Sequence, residues 1–228
     1  MKWLYQLERK YGRYAIPNLM LYVTATMLAV YMFDTMMSIR GISISGYLYL
    51  SRSLLLRGQI WRLVTFLAVP ISNRLFSVLI SLLFYYSIGA TLESQWGTFY
   101  FNAYFVVGAL GAIAAGLITG VGTNFYVYSS LFLAYAQLFP DNEFMLFFLV
   151  PVKARYIGYA TWILYALGLA GSLLAANWSG CLALVMSLIN FFIFFGPTFW
   201  SDLRGRMHSR NRRREFQKQM KDNRDLWR

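Results

Sequence analysis

LFSVLISLLFYYSIGATLESQWGTFYFNAYFVVGALGAIAAGLITG, residues 75–120, is the stretch that decides the fold class of this chain. It holds two apolar runs, at about Leu75–Leu92 and Phe99–Gly120, and the pair Trp96-Gly97 lies between them. A helix of about twenty apolar residues matches the thickness of the hydrocarbon core of a bilayer. We therefore predict two consecutive transmembrane helices over this stretch.

The other apolar segments extend this pattern to six helices. They lie at about Leu19–Ile39, Phe125–Phe139, Tyr156–Ala176 and Cys181–Phe199. The fourth helix in chain order, Phe125–Phe139, is short for a full crossing, so its neighbours must shield it from lipid. The sequence thus predicts an all-α integral membrane protein with a six-helix transmembrane bundle.

Residues 40–73, between the first two predicted helices, contain no run long enough to span. Their apolar stretches are interrupted by arginines, including Arg52, Arg57 and Arg62. Such a segment is expected to lie in the membrane interface. Asp34, near the end of the first helix, is close enough to the interface to reach water or a cation.

The composition excludes an ordinary soluble domain. Hydrophobic residues make up 58% of the 228 residues and charged residues 13%, and the mean hydropathy is +0.48. Soluble domains usually carry about 25% charged residues. The net charge of +12 is concentrated near the two ends of the chain, which does not indicate a nucleic-acid partner. The partner that the composition does indicate is the lipid bilayer.

The distribution of Lys and Arg predicts the orientation. With six crossings, residues 1–17, the loop after the fourth helix and residues 201–228 share one side of the membrane, and they hold four, two and ten Lys or Arg. The opposite side holds five. Cytoplasmic loops carry the excess of Lys and Arg. We therefore predict that both termini are cytoplasmic, with a transmembrane domain at 1–200 and a basic tail at 201–228 that attracts anionic lipid.

The sequence offers few side chains for chemistry. The only His and the only Cys, His208 and Cys181, lie in the tail and in the sixth predicted helix, so we expect neither a metal site nor a cofactor. Asp34 is the only acid within a predicted helix. A proton relay or a carboxylate-based transporter would need more intramembrane charge than this.

Three motifs, together with the six-helix plan, resemble the rhomboid family of membrane proteins, in particular its bacterial members. The motifs are GQIWRLVTF at 58–66, IGATLESQWG at 88–97, and the pair LFPD at 138–141 and LFFLVPVKA at 146–154. The motif residues with an expected structural role are Trp61, Arg62, Gly89, Glu93, Trp96, Gly97, Pro140 and Pro151. The resemblance implies a rhomboid-like bundle in a bacterial plasma membrane, with Arg62 held by a carboxylate or by backbone carbonyls.

The catalytic dyad of active rhomboids has no counterpart at the corresponding positions. In that family a Ser at the top of helix four is paired with a His in helix six. The resemblance places Phe125 near the Ser position and Asn177 at the His position. An amide cannot accept a proton as a general base at neutral pH. Ser77 and Ser81 fall near the positions where family members hold the oxyanion.

The resemblance therefore implies a pseudoprotease, derlin-like in concept, which binds transmembrane segments of other proteins in quality control or trafficking. Two alternatives remain open. One is an unorthodox intramembrane serine protease that uses Ser129 or Ser130, although neither has a nearby His to activate it. The other is a small-molecule or lipid transporter, which would be expected to show paired broken helices or intramembrane charges.

Overall fold

The structure is a computed structural model that describes residues 2–146, 150–175, 181, 184–185 and 188–196. The chain divides into two compact units, Met1–Asn190 and Phe191–Arg228. In the described part of the second unit the backbone is helical, and the rings of Phe191 and Phe195 stack with their centroids 4.8 Å apart. The elements below belong to the first unit.

Four helices of the described chain are long and apolar enough to cross a membrane. They are α2 (Leu19–Ser38), α6 (Leu75–Trp96), α7 (Thr98–Thr119) and α9 (Ala154–Leu174). Large apolar side chains stand exposed along them, such as Met36, Leu83, Leu110 and Leu167. Exposed apolar surface on every spanning helix is what a lipid environment stabilises. The chain is therefore a multi-pass, mostly helical membrane protein, as predicted.

The fourth predicted helix is α8 (Phe125–Leu138), which is central and short. Its 14 residues extend about 21 Å, less than the hydrocarbon thickness. Eight of them are buried, because α6, α7 and α9 all pack against it. The expected shielding of this helix is thus present. The sixth predicted helix is described only at residues 181, 184–185 and 188–196, all helical, so six crossings remain a prediction.

Shorter elements complete the unit. They are α1 (Lys2–Tyr11), α3 (Ile44–Leu48), α4 (Arg52–Leu55), α5 (Arg62–Thr65), β1 (Leu50–Ser51) and β2 (Val121–Gly122), with 3-10 turns at Gly12–Tyr14 and Phe66–Ala68. The loop at 40–73 is therefore folded. Strand β1 pairs antiparallel with β2, and Leu50 lies opposite Gly122. This pairing ties the long loop to the turn between α7 and α8.

A hairpin that the sequence did not predict precedes α9. Strands β3 (Glu143–Leu146) and β4 (Val150–Lys153) pair antiparallel, with Met145 opposite Pro151. The Arg155 amide donates to the Pro140 carbonyl across 3.1 Å, and the Arg155 side chain forms an ion pair with Asp141. These contacts stabilise the connection between α8 and α9. Pro140 and Pro151, the two prolines of the third motif, both lie in this connection.

Candidate functional site

A cleft of about 540 Å³ lies between α6, α8 and α9. Most of its walls are aliphatic or aromatic. Phe76, Phe125 and Leu164 line it and are 62%, 50% and 68% exposed, so they form a rim on the outer surface of the helices. Apolar residues are also exposed on α6 and α9 beside this rim, and such a surface is the kind that a lipid environment stabilises.

Hydroxyl groups provide most of the polarity of the cleft. Ser77, Ser81, Ser129 and Thr161 line it together with tyrosines. Ser81 Oγ donates to the Ser77 carbonyl and Thr161 Oγ1 to the Ile157 carbonyl, each across 2.8 Å. A hydroxyl that donates in this way keeps its acceptor lone pairs free. The described lining residues include no Asp, Glu, Lys, Arg or His, so the cleft offers hydrogen-bond acceptors without charge.

The inner wall of the cleft is fixed by contacts with the long loop. The rings of Tyr85 and Tyr128 stack with centroids 4.3 Å apart. The Tyr128 hydroxyl donates to the Leu67 carbonyl across 2.7 Å, and Asn124 Nδ2 donates to the Val69 carbonyl across 2.7 Å. Both carbonyls thus fasten the beginning of α8 to the segment that follows α5. The wall cannot move without breaking these part-buried hydrogen bonds.

The structure brings four residues singled out in the sequence to this cleft. Phe125, which the resemblance places near the nucleophile position, begins α8 and lies at the rim. Ser77 and Ser81, near the oxyanion positions, line the cleft from α6. Ser129 lines it one turn beyond Phe125. Asn177 lies outside the described residues.

A buried polar contact deeper in the bundle was not predicted from the sequence. Asn190 Nδ2 donates to Ser130 Oγ across 3.1 Å, and the two residues are 3% and 1% exposed. The Tyr104 hydroxyl donates to the Ser130 carbonyl across 2.9 Å. A Cβ on Gly108 would lie 2.7 Å from Asn190 Nδ2, so this glycine makes room for the amide. The feature of the sequence that could have indicated this contact is Asn190, the single amide side chain in the apolar segment 181–199.

Arg62 holds the long loop together from within. It is 2% exposed, its Nη1 donates to the Tyr49 and Gly46 carbonyls across 2.7 and 3.1 Å, and its Nε donates to Gln59 Oε1 across 2.7 Å. The expectation was a carboxylate or backbone carbonyls, and of these two the contacts show backbone carbonyls, joined by a glutamine side chain. The neighbouring Trp61 is 50% exposed, and its Nε1 reaches the Tyr47 carbonyl at 3.4 Å.

Gly89 and Glu93 both contact the beginning of α2. A Cβ on Gly89 would lie 2.0 Å from Met20 Cγ, so α2 and α6 approach as closely as a glycine allows. Glu93 Oε1 accepts a hydrogen bond from the Asn18 amide across 2.9 Å. Asn18 is the N-cap of α2, with a left-handed backbone (φ 53°). A carboxylate at a helix N-terminus satisfies a free amide and favours the helix dipole.

Trp96 and Gly97 form the connection between α6 and α7. Gly97 has φ +84°, a conformation that favours glycine, and it lets α7 begin immediately. The centroid of the Trp96 ring lies 5.3 Å from that of the Tyr104 ring, so Trp96 contacts α7, the helix that follows. The second motif therefore consists of a close helix crossing, a helix cap and a turn.

Asp34 has a polar partner of its own rather than a cation. Its carboxylate accepts hydrogen bonds from the Ser45 amide and hydroxyl across 3.0 and 2.8 Å. Ser45 lies in the first turn of α3, where amide groups lack partners within the helix. Asp34 therefore joins the end of α2 to the long loop.

Comparison with known proteins places the chain in no family. No protein-family model matches it, and no curated protein matches it. A function for this chain must therefore be argued from the cleft and the motif residues described above.

Proposed function

We propose that this chain is a rhomboid-like pseudoprotease that binds transmembrane segments of other membrane proteins in the cleft between α6, α8 and α9. The observation that carries the proposal is the position of the cleft, whose apolar rim lies between α6 and α9, two helices long enough to cross a membrane. An occupant that enters there comes from the bilayer. The resemblance supports the same location, because Phe125, near its nucleophile position, and Ser77 and Ser81, near its oxyanion positions, meet at this cleft.

The chemistry of the lining favours a helix that carries a polar side chain. An amide or hydroxyl inside a bilayer lacks water, and the acceptor lone pairs of Ser81 and Thr161 offer it partners. An acyl chain gains nothing from these acceptors. The uncharged lining offers no ionic partner for a lipid headgroup or a charged solute. The occupant that fits best is therefore a transmembrane helix with an Asn, Gln, Ser or Thr near its middle.

Binding without cleavage agrees with the same inventory. Ser129 is the α8 serine that lines the cleft, and the described lining residues offer it no His, Lys, Asp or Glu. A serine needs a base within hydrogen-bond reach to become an effective nucleophile. The cleft thus supplies hydrogen-bond acceptors to a client but no proton acceptor for catalysis.

The experiment uses the full chain in nanodiscs with two synthetic single-span helices, one of leucines and one with a central Asn. A photo-crosslinking residue replaces Leu164 at the rim of the cleft, and the control replaces Leu110, which is 58% exposed on α7. We expect the Leu164 position to crosslink the Asn helix preferentially and the Leu110 position to show no preference. Equal yields from both positions, or adducts with lipid alone, would refute the proposal.

A blocking variant tests the same site from inside. Ser81→Trp fills the cleft from α6 and should abolish the preference for the Asn helix, whereas Ser94→Trp, outside the cleft on the same helix, should preserve it.

The cytoplasmic orientation of both termini and the attraction of residues 201–228 to anionic lipid also belong to this proposal. The tail lies outside the described residues, and its lipid binding rests on its charge alone.

A further inference from the structure

The first helix of the chain has two chemically different sides. With 3.6 residues per turn, positions 3, 4, 7 and 11 of α1 fall on one side, and the sequence places Trp, Leu, Leu and Tyr there. Positions 2, 6, 9 and 10, which carry Lys, Gln, Arg and Lys, fall on another. An apolar side next to a basic side is the pattern of helices that lie in the membrane interface.

The segment after α1 is fastened to one end of the spanning helices. The Asn18 amide donates to Glu93 Oε1, and Asn102 Nδ2 donates to the Ile16 carbonyl across 2.9 Å. Glu93 and Asn102 flank the turn at Gly97, where α6 ends and α7 begins. Because α6 and α7 are both long enough to cross the bilayer, their common turn lies near the membrane surface. Helix α1 therefore leaves the bundle at that level.

The contact of α1 with the bundle leaves Leu7 and Tyr11, on its apolar side, exposed. Helix α1 contacts α7, and Glu8 is half-buried and lies near the Tyr100 hydroxyl on α7, so the side that bears Glu8 faces the bundle. On the apolar side, Leu7 and Tyr11 are 39% and 45% exposed. Nothing in the described chain covers these residues to the extent that a core would.

Cations and aromatic rings are paired along the same segment. Lys10 Nζ lies 5.2 Å from the centre of the Tyr11 ring, and Arg13 Cζ lies 5.0 Å from the centre of the Tyr14 ring. Tyrosines prefer the interface between membrane and water, and basic side chains reach from there to the headgroups. In each pair a basic group and an aromatic ring therefore lie at the same depth relative to the membrane surface.

We propose that α1 is a lipid-binding element, which lies in the interface with its apolar side among acyl chains and its basic side on anionic phosphate headgroups. The anionic headgroup is favoured over a protein partner for two reasons. One short helix carries both a basic side and exposed apolar residues, and the turn to which it is fastened lies near the membrane surface. The proposal is independent of the cleft and of the basic tail at 201–228.

The test measures the depth of two labels in the intact chain. In a Cys181→Ala background, Leu7→Cys and Gln6→Cys place a bimane label on the apolar and basic sides. The protein is reconstituted in nanodiscs of phosphatidylcholine, with or without phosphatidylglycerol, and quenched with acrylamide, a neutral quencher that surface charge does not concentrate. With phosphatidylglycerol we expect the Leu7 label to be protected and the Gln6 label to be quenched.

Charge variants separate lipid binding from simple packing. One basic residue near an anionic surface is worth roughly fivefold in binding, so Arg9→Gln/Lys10→Gln should shift the protected-to-quenched equilibrium of the Leu7 label roughly 25-fold. The matched control is Arg52→Gln/Arg57→Gln, two exposed arginines of the long loop at 40–73, which should leave it unchanged. Equal quenching of both labels, or protection that is the same without phosphatidylglycerol, would overturn the proposal.

Discussion

Gly89 lies so close to Met20 that a Cβ at this position would stand 2.0 Å from Met20 Cγ and 2.7 Å from Met20 Cβ. Met20 is 1% exposed, so its side chain has no solvent-filled space to move into. The crossing of α2 and α6 is therefore set by the absence of a side chain at one residue. Small residues play this part in membrane helices, where close packing replaces the hydrophobic effect as a driving force.

Substitution of this glycine should destabilise the bundle. We expect Gly89→Ala to cost about 2 kcal/mol, the usual cost of an extra carbon in a packed core. Thermal unfolding in detergent measures it, and Met20→Ala in the same chain should restore part of the loss. Gly171→Ala is the matched control in α9, where an added Cβ meets nothing within 4 Å and helix propensity favours Ala. A loss at Gly171 as large as that at Gly89 would contradict the packing explanation.

Arg62→Lys should unfold the long loop although it keeps the charge. A lysine ammonium cannot reproduce the fork that reaches the Tyr49 and Gly46 carbonyls and Gln59 together, and each hydrogen bond of a charged group is worth about 1.5–3 kcal/mol. We expect limited proteolysis between residues 40 and 73 and a lower melting temperature. Arg57→Lys, at an exposed arginine of the same loop, should behave like the parent chain.

Replacement of Trp61 should lower the melting temperature less than replacement of Arg62. Trp61→Ala removes one long hydrogen bond and a half-exposed ring, whereas Arg62 is buried. The loss in melting temperature should therefore be lower for Trp61→Ala than for Arg62→Lys. The reverse order would mean that the indole, and not the guanidinium, organises the loop.

A double-mutant cycle should detect the hydrogen bond between Asn190 and Ser130. Hydrogen bonds between membrane helices average about 0.6 kcal/mol of coupling, so Ser130→Ala and Asn190→Ala together should cost less than the sum of the single changes by roughly that amount. Chemical unfolding in mixed micelles gives the four free energies of unfolding. Strict additivity would show that the contact contributes nothing to stability.

Serine-directed probes should leave the chain unlabelled. Ser129 lines the cleft without an acid or base among the described lining residues, and Ser130 Oγ donates across 2.8 Å to the Val127 carbonyl, which is too weak a base to activate it. We expect no labelling by a fluorophosphonate and no cleavage of a rhomboid substrate. Labelling that disappears in Ser129→Ala would overturn the pseudoprotease proposal and favour the unorthodox protease.

Apolar run length was sufficient to locate the long helices and the short central helix α8. Predicted starts at Leu19, Leu75 and Phe125 coincide with those of α2, α6 and α8. The hairpin over 143–153 was missed because a seven-residue apolar run before a proline does not distinguish a strand from a buried helix turn. The periodicity of apolar residues describes a single helix or strand, whereas the hairpin depends on hydrogen bonding between two strands.

The candidate site could be predicted only where its signal was local. The resemblance implied a carboxylate or backbone carbonyls as partners of Arg62, but which of these it meets depends on the path of the loop. The contact between Ser130 and Asn190 joins residues 60 positions apart, which no local pattern encodes. The cleft itself is a space between three helices, and its existence follows from their packing rather than from any one stretch of sequence.

The hydrogen bond from the Asn18 amide to Glu93 has a consequence for the order of events during synthesis. Helix α2 leaves the ribosome well before Glu93 does, and until then its N-cap lacks the carboxylate. The carbonyl of Ile16 likewise waits for Asn102 on α7. We therefore expect the first spanning helix to enter the bilayer in a provisional position and to acquire its final one only when the α6–α7 pair has been inserted beside it.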